Sequence, residues 1–507
     1  MKTARGYRAF RGATVDQYKF PLSTTPNESL SRISYKVAHF SDSTKEPYSG
    51  LLYLKTDGAG HINVKLKNSK GITLSTLYNK NNTTGTVSFV RPPSNTSTYL
   101  EITISQITTR FTVLSLVHDN HLQSYQSGQT FTPDIIRLWK AVGSVVRFMK
   151  LLRADDNPAS VIRGTMQDLY WTGNASERYS IPYEAILKDC KNNGITPWIN
   201  ILANVTDQEV LGLTALLEKY PQEVIIEFAN EVFHAPKGGS PYTYFVKQAQ
   251  ALWGTAGTGA PVGRQYLAYR YSFLIDLIKS RLIKATCKFV YADQGNWSDW
   301  LKQTFVANLW QPTTPAEINR KAKWVSGSMI DMFVFNNYYG EDIVPKGSKP
   351  GFISLAEAGD PVKVYGAAIK SIDKRVNQIG NTIADIKDFF PNSQHTFGAY
   401  ESGMSDTANN FASFRNTQEQ TDAHLYWLNK SSQHLSLNMH YADVDASRWH
   451  LVYTVKQRLR DTARGRAVET YLSNTPTTPP IGPVANNLML IAEIRAKLTQ
   501  LESNLQS

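Results

Sequence analysis

Between about residue 119 and residue 470 the chain alternates apolar, strand-like runs with amphipathic helical stretches, and this rhythm restricts the fold more than any other feature. A parallel strand is buried on both faces and returns through a helix, so such alternation marks consecutive βα units. Seven runs read as strands: 145–152, 196–204, 224–231, 288–293, 331–339, 396–401 and 435–441. Helical stretches separate them at 183–193, 207–220, 242–282, 297–309, 362–389 and 411–430. A helix at 133–142 precedes the first run, and before it residues 111–117 offer an eighth strand. Eight strands fit a TIM (β/α)₈ barrel of the α/β class. The competing open, doubly wound sheet lacks its glycine-rich phosphate loop after the first strand.

With 507 residues the chain holds more than one domain. Residues 1–28 are basic and aromatic with little periodicity and read as an arm or anchor. Residues 29–118 read as a small β-sandwich, from alternating segments at 50–55, 61–66, 86–90 and 99–107 set between Gly, Asn, Ser and Pro clusters. Such a module binds sugar or braces its neighbour. The barrel is expected over 119–470, and a Pro/Thr-rich linker over 471–486. Residues 487–507 then form a helix with Ile491, Ile494, Leu498, Leu501 and Leu505 at heptad spacing. A seam this short is marginal alone, so the helix needs a partner. Self-association into a homo-oligomer, with a trimer favoured, is the first expectation; docking on this chain or on another protein is the alternative.

Charged residues make up 19% of the chain and hydrophobic residues 41%, which excludes a disordered polyelectrolyte. No apolar run reaches the roughly 18 residues of a membrane span. The opening MKTARGYRAFRG has no apolar stretch after its basic residues, so no secretory signal is expected. A site of action outside the cell would be reached by another route, such as lysis. The net charge of +12 favours polyanions, among them an acidic polysaccharide, but the densest Lys/Arg cluster, 456–466, is too short for a nucleic-acid stripe. Cys190 and Cys287 are too few for a disulfide framework or a zinc site and read as buried thiols. No metal-ligand spacing and no cofactor motif occurs.

A barrel places its chemistry at the C-terminal ends of its strands. With 111–117 counted as the first strand, the fourth, VIIEFANE, ends in Asn230 and Glu231, and the seventh, TFGAYE, ends in Glu401. Strands four and seven face each other across the mouth. Two carboxyl groups about 5–5.5 Å apart are what double-displacement glycoside hydrolysis needs, one to protonate the leaving oxygen and one to attack the sugar carbon. Environment separates their acidities. The amide of Asn230 can donate to a sugar hydroxyl. Trp171, Trp198, Phe233, Trp297 and Trp300 stand near strand ends and could stack on sugar faces or pack the rim. His234, His440 and Asn204 also fall at strand ends.

The Asn-Glu on strand four with a Glu on strand seven resembles the clan of retaining (β/α)₈ glycoside hydrolases that includes cellulases, mannanases and xylanases. Over residues 131–403 the stretches FTPDIIRLWKAVGSVVRFM, IPYEAILKDCKNNGITPWINILANVTDQEV, VIIEFANEVF and AYESG are also similar to barrel proteins of bacteria and of phage tails. The resemblance implies Glu231 as acid/base, Glu401 as nucleophile, and Asn230 on the sugar 2-hydroxyl. It also implies Arg147 as the strand arginine supporting the nucleophile, and Tyr338 or Tyr339 as the tyrosine steadying it. Two departures stand out. Leu202-Ala203-Asn204 occupies the place of a histidine common in the clan, and the eighth strand, LNMHYADVD, lacks the usual tryptophan, the nearest being Trp449. The expected function is therefore hydrolysis of a host-surface or extracellular polysaccharide, in a phage tail fibre or tailspike whose N-terminal region joins other virion tail proteins. The alternatives are a non-catalytic carbohydrate-binding or structural tail protein on a decayed barrel, and an intracellular glycosidase.

Overall fold

The computed structural model describes residues 13–15, 21–24, 33–37, 50–56, 59–68, 70–82, 85–91, 98–109, 114–118, 122–152, 154, 161–162, 178–179, 181–232, 241–254, 260–293, 298–346, 348–405, 411–440, 451–452 and 457–474. The expectations for Trp171, Phe233, His234, Trp297, Trp449 and residues 475–507 lie outside the described residues.

The N-terminal part is antiparallel. Strands β1 (Ala13–Val15) and β2 (Pro21–Thr24) pair with each other. Strands β3 (Ile33–Val37), β4 (Gly50–Thr56), β5 (Ala59–Asn68), β6 (Thr73–Asn82), β7 (Gly85–Arg91), β8 (Thr98–Thr109) and β9 (Leu114–His118) follow. They form one sheet in the order β3-β8-β5-β6 and a second in the order β7-β4-β9. Alternate residues of β5, Ile62, Val64 and Leu66, are buried with Leu52 and Leu54 of β4, Val87 and Phe89 of β7, and Leu100 and Ile102 of β8. Both sheets thus contribute one face to a single core, as a sandwich requires.

Strand β9 corrects the strand count made above. The run expected to open the barrel pairs antiparallel with β4 instead, Leu116 lying opposite Leu54. A five-residue apolar run satisfies either role, and periodicity does not separate them. Here the open edge of β4 takes it.

Seven parallel strands build the second unit: β10 (Val145–Arg147), β13 (Thr196–Ile201), β14 (Glu223–Phe228), β15 (Thr286–Asp293), β16 (Met332–Tyr339), β17 (Thr396–Met404) and β18 (Leu437–His440). A short parallel pair, β11 (Val161–Ile162) and β12 (Arg178–Tyr179), lies apart from them. The seven neighbour one another in chain order, and the edge strands β10 and β18 approach each other, so the sheet curls into a nearly closed barrel. Glu231 follows the third of these strands and Glu401 stands on the sixth, so the three-strand separation is unchanged.

Strand alternation divides the side chains into two layers. Trp198, Ile225, Val290, Met332, Val334 and Tyr400 fill the barrel interior. Ile199, Ile226, Phe228, Phe289, Phe333, Phe397 and Ala399 face the helices. Burial on both sides is why these strands read as continuous apolar runs.

Local signals set the helix ends. Gly194, at φ +64°, stops helix Tyr183–Asn193 in the left-handed region that glycine enters without cost. Thr206 and Glu209 form a reciprocal cap on helix Asp207–Lys219. Asp360 caps helix Pro361–Phe389, whose first residue is proline. Several expected bounds change. The stretch 242–282 is two helices, Pro241–Trp253 and Ala260–Lys279, parted after Gly254 at φ +70°. Helix Pro315–Val325, capped by Thr314 and Glu317, is not among the expected elements. Strand 145–152 ends at Arg147 and passes into the turn of helix Met149–Leu152. Helix Ala463–Asn474 runs into the first residues of the expected linker. No helix among the described residues is long and apolar enough to cross a membrane.

Candidate active site

The interior of the barrel carries charge at one level, and Arg147 is its centre. Its Nε donates to Glu227 Oε2 and its Nη2 to Glu227 Oε1, both at 2.8 Å. Nη2 also donates to Asn230 Oδ1 at 2.7 Å, and Nη1 donates to Glu401 Oε1 at 3.1 Å. The guanidinium lies 5.0 Å from the Tyr400 ring centre and 5.5 Å from that of Trp198. Burial opposes its charge, but Glu227 and then Glu401 outweigh burial and hold it protonated. Trp198 Nε1 completes the cluster by donating to Glu227 Oε2 at 2.9 Å.

Glu401 reaches this cluster through an irregularity in β17. Ala399 faces the helices, so simple alternation would turn Glu401 outward as well. On β16, however, Phe335 is opposite Ala399 and the next residue, Asn336, is opposite Glu401. On β18, Asn438 is opposite Ala399, and His440 is opposite Ser402. Both neighbours skip one residue of β17, which is a β-bulge at Tyr400, and a bulge re-aims the side chains beyond it. Tyr400 and Glu401 consequently both face inward. Tyr338, on the inward phase of β16, donates its hydroxyl to Glu401 Oε2 at 2.9 Å. Each oxygen of Glu401 therefore has a donor. Gly403, at φ +117°, ends this stretch against His440; a Cβ there would meet the imidazole Nε2 at 2.9 Å.

Glu231 is aimed by backbone conformation. Ala229 and Glu231 have φ +60° and +47°, a region that disfavours side chains other than glycine and costs about 1 kcal/mol or more per residue. The Ala229 peptide is clamped on both sides: its N–H donates to Ile201 O at 2.7 Å, and its carbonyl accepts from Asn200 Nδ2 at 2.7 Å. Asn230 is buried, and because its Oδ1 is bound to Arg147 its amide hydrogens are the free edge. The buried Tyr400 hydroxyl is held well above its ordinary pKa, first by burial and then by the nearby carboxylates Glu231 and Glu401.

The structure sorts the expected site residues. Glu231, Asn230, Arg147, Tyr338 and Glu401 come together at one end of the barrel. Asn204 is half-buried in the turn after β13, at the same end. Trp198 is completely buried beside Arg147, so it supports Glu227 and presents no face to a ligand. Tyr339 and His440 are turned the other way by strand alternation, into the layer under helix Gln418–Ser431. The Tyr339 hydroxyl shares a 3.1 Å hydrogen bond with His424 Nδ1, and the His440 ring lies 5.2 Å from that of His424. Among the described residues, no group of three His, Cys, Asp or Glu side chains could hold a metal ion. Glu227 and Asn200 were not anticipated. The available signal was a polar residue in inward phase within each of the apolar runs INILAN and VIIEFAN.

The layer around His424 carries a pH consequence. Burial, then the neighbouring His440 and Arg464, hold His424 neutral well below the usual histidine range. Below about pH 6.5 the unfolded chain binds a proton on this residue that the folded chain does not. Stability present above that pH is lost as the pH falls. His424→Gln, which keeps an acceptor for Tyr339, is expected to flatten the decline below about pH 6.5 by up to about 1.4 kcal/mol per pH unit. Urea unfolding at successive pH values measures it, and parallel slopes in the two proteins would exclude His424 as the cause.

No family model matches the chain, and no curated protein matches its sequence. Among solved structures it is similar to the α-L-arabinofuranosidase of Thermotoga maritima, at 14% identity over 68% of this chain and 64% of that one, with a TM-score of 0.40. The arabinofuranosidase of Thermotoga petrophila gives 13%, 68%, 64% and 0.38. A β-glucuronidase of Bacteroides uniformis gives 12%, 87%, 47% and 0.30. The chain thus spans a little under two thirds of the length of these arabinofuranosidases. Likeness at this level assigns no family, and the chemistry rests on the site's own geometry.

Proposed function

We propose that the chain is a retaining glycoside hydrolase, with Glu401 as nucleophile and Glu231 as acid/base. The observation that carries this reading is the double anchoring of Glu401, by Arg147 on one oxygen and Tyr338 on the other, at the barrel end where Glu231 also stands. Two donors orient a carboxylate and favour its charge, which is what an attacking group requires. In the first step a Glu401 oxygen bonds to the anomeric carbon, the glycosidic C–O bond breaks, and the leaving oxygen takes the proton of Glu231. In the second, Glu231 takes a proton from water, the water oxygen bonds to the same carbon, and the ester to Glu401 breaks. Two inversions give net retention. The outward amide hydrogens of Asn230 are placed to bind a sugar hydroxyl.

The proposed substrate is a host-surface or extracellular polysaccharide, and the net charge of +12 favours an acidic one. The setting proposed is a phage tail, with residues 487–507 joining copies of the chain, a trimer favoured, and the N-terminal region meeting other tail proteins. The heptad seam supports the first of these, and the resemblance over residues 131–403 supports the tail setting alone. One observation favours a non-catalytic, carbohydrate-binding reading: at the end of β13, Ala203 stands where a histidine would be expected.

The deciding experiment is proton NMR of the products as host polysaccharide is digested. Retention of anomeric configuration in the first product is expected. An inverted first product, or binding without any release of reducing ends, would overturn the hydrolase reading. Light scattering of the full chain, with and without 487–507, tests assembly; a monomer in both cases sinks the oligomer.

A further inference from the structure

Arg147 has five N–H groups, and only one of them reaches Glu401. Three of the other bonds in the cluster determine where that one points. Glu227 grips the Nε–Nη2 edge with both oxygens, at 2.8 Å each, which is the planar fork geometry that fixes a guanidinium in rotation as well as position. Trp198 Nε1, donating to Glu227 Oε2 at 2.9 Å, fixes the carboxylate in turn. With that edge occupied, the remaining Nη2 hydrogen falls on Asn230 Oδ1 and the Nη1 edge falls on Glu401 Oε1.

We infer that Glu227 is the positioning residue of this site: through Arg147 it sets both the orientation of Glu401 and the orientation of the Asn230 amide, and it withholds part of the arginine's charge from Glu401. The inference rests on the hydrolase reading above for its kinetic consequences, and on the geometry alone for its structural ones.

Glu227 is no candidate for touching substrate. It is 1% exposed, on the inward phase of β14, and both its oxygens are committed to Arg147, one of them also to Trp198. Its charge has a definite effect nonetheless. A guanidinium shared between two carboxylates stabilises each less than it would stabilise one, and two like charges around one cation repel. Glu401 is thereby kept a better electron donor than a carboxylate with sole possession of Arg147. Strand alternation explains why Glu227 can do this: Arg147 and Glu227 both face the interior, and β13, which lies between their strands, contributes Trp198 at the same level.

Two variants test the inference in the full-length chain. Glu227→Gln keeps the shape and removes the charge. Its kcat on an activated aryl glycoside is expected to fall about 10- to 100-fold with KM changed less than about threefold, and the acid limb of kcat/KM to move down by about one pH unit, since Glu401 then has Arg147 to itself. Trp198→Phe leaves the Glu227 charge on Arg147 and is expected to lower kcat without moving the limb downward. A residue that only filled space would lower activity without moving the limb, so an unmoved limb in Glu227→Gln overturns the inference. The structural arm needs no turnover. In a crystal structure of Glu227→Ala, Arg147 is expected to leave hydrogen-bonding distance of Glu401 or of Asn230. Both contacts persisting would overturn the inference equally, while a native chain that cleaves no glycan would overturn the hydrolase reading and leave this arm to decide.

Discussion

Glu401→Ala is expected to reduce kcat on an activated aryl glycoside by about 10⁴-fold or more, which corresponds to about 5.5 kcal/mol of lost transition-state stabilisation. On the proposed mechanism the ester forms on Glu401, and Glu227 does not replace it among the described residues, because it is buried with both oxygens bound. Removing the carboxylate leaves a space at the anomeric carbon that a small anion can enter. Added azide should therefore restore turnover and give a glycosyl azide of inverted configuration, because only one displacement then occurs. In Glu231→Ala the ester still forms, and azide should give the retained product. The two stereochemical outcomes assign the roles separately. More than about 1% residual activity in Glu401→Ala, or retained configuration in its azide product, would remove Glu401 as nucleophile.

The second large effect is on stability. Arg147→Met fills similar volume but leaves Glu227 and Glu401 facing each other without their shared cation. The arginine side chain is 5% exposed and those of its two partners 2% and 9%. Removing one partner of a buried ion pair typically costs about 3–5 kcal/mol, because the charge left behind is neither solvated nor paired. Replacing the pair together is far milder, so Arg147→Met with Glu227→Leu should recover part of the loss. Urea unfolding followed by near-UV circular dichroism measures both. A loss below about 1 kcal/mol in the single variant would mean that the cluster is hydrated and not a buried network.

The alternation of apolar runs with helical stretches was enough to place seven parallel strands, since a strand buried on both faces must be apolar throughout. It did not separate a barrel strand from a sandwich edge, and residues 111–117 went to the wrong sheet for that reason. The carboxylates Glu231 and Glu401 stood out because each is a charged residue at the end of an apolar run, although β17 continues past the buried Glu401 to Met404. Tyr338 and Tyr339 could not be told apart, because FNNYY carries no phase mark. Register resolved them, turning Tyr338 to Glu401 and Tyr339 to His424.

Chain order and hydrophobic pattern alone determined that Glu231 and Glu401 belong to strands three places apart in one parallel sheet, one just after its strand and one within it. Whether their side chains meet was decided elsewhere. The one extra residue at Tyr400 turns Glu401 from the helix layer into the barrel, and a bulge exists only against its neighbouring strands. The left-handed turn at Ala229 is held by Ile201 and Asn200 from the strand alongside. The counter-charge of Arg147 comes from a residue 80 positions away. Pattern is a property of one strand and places residues on a strand; aim depends on register and shared charge, which belong to pairs of strands and arise only when the sheet closes.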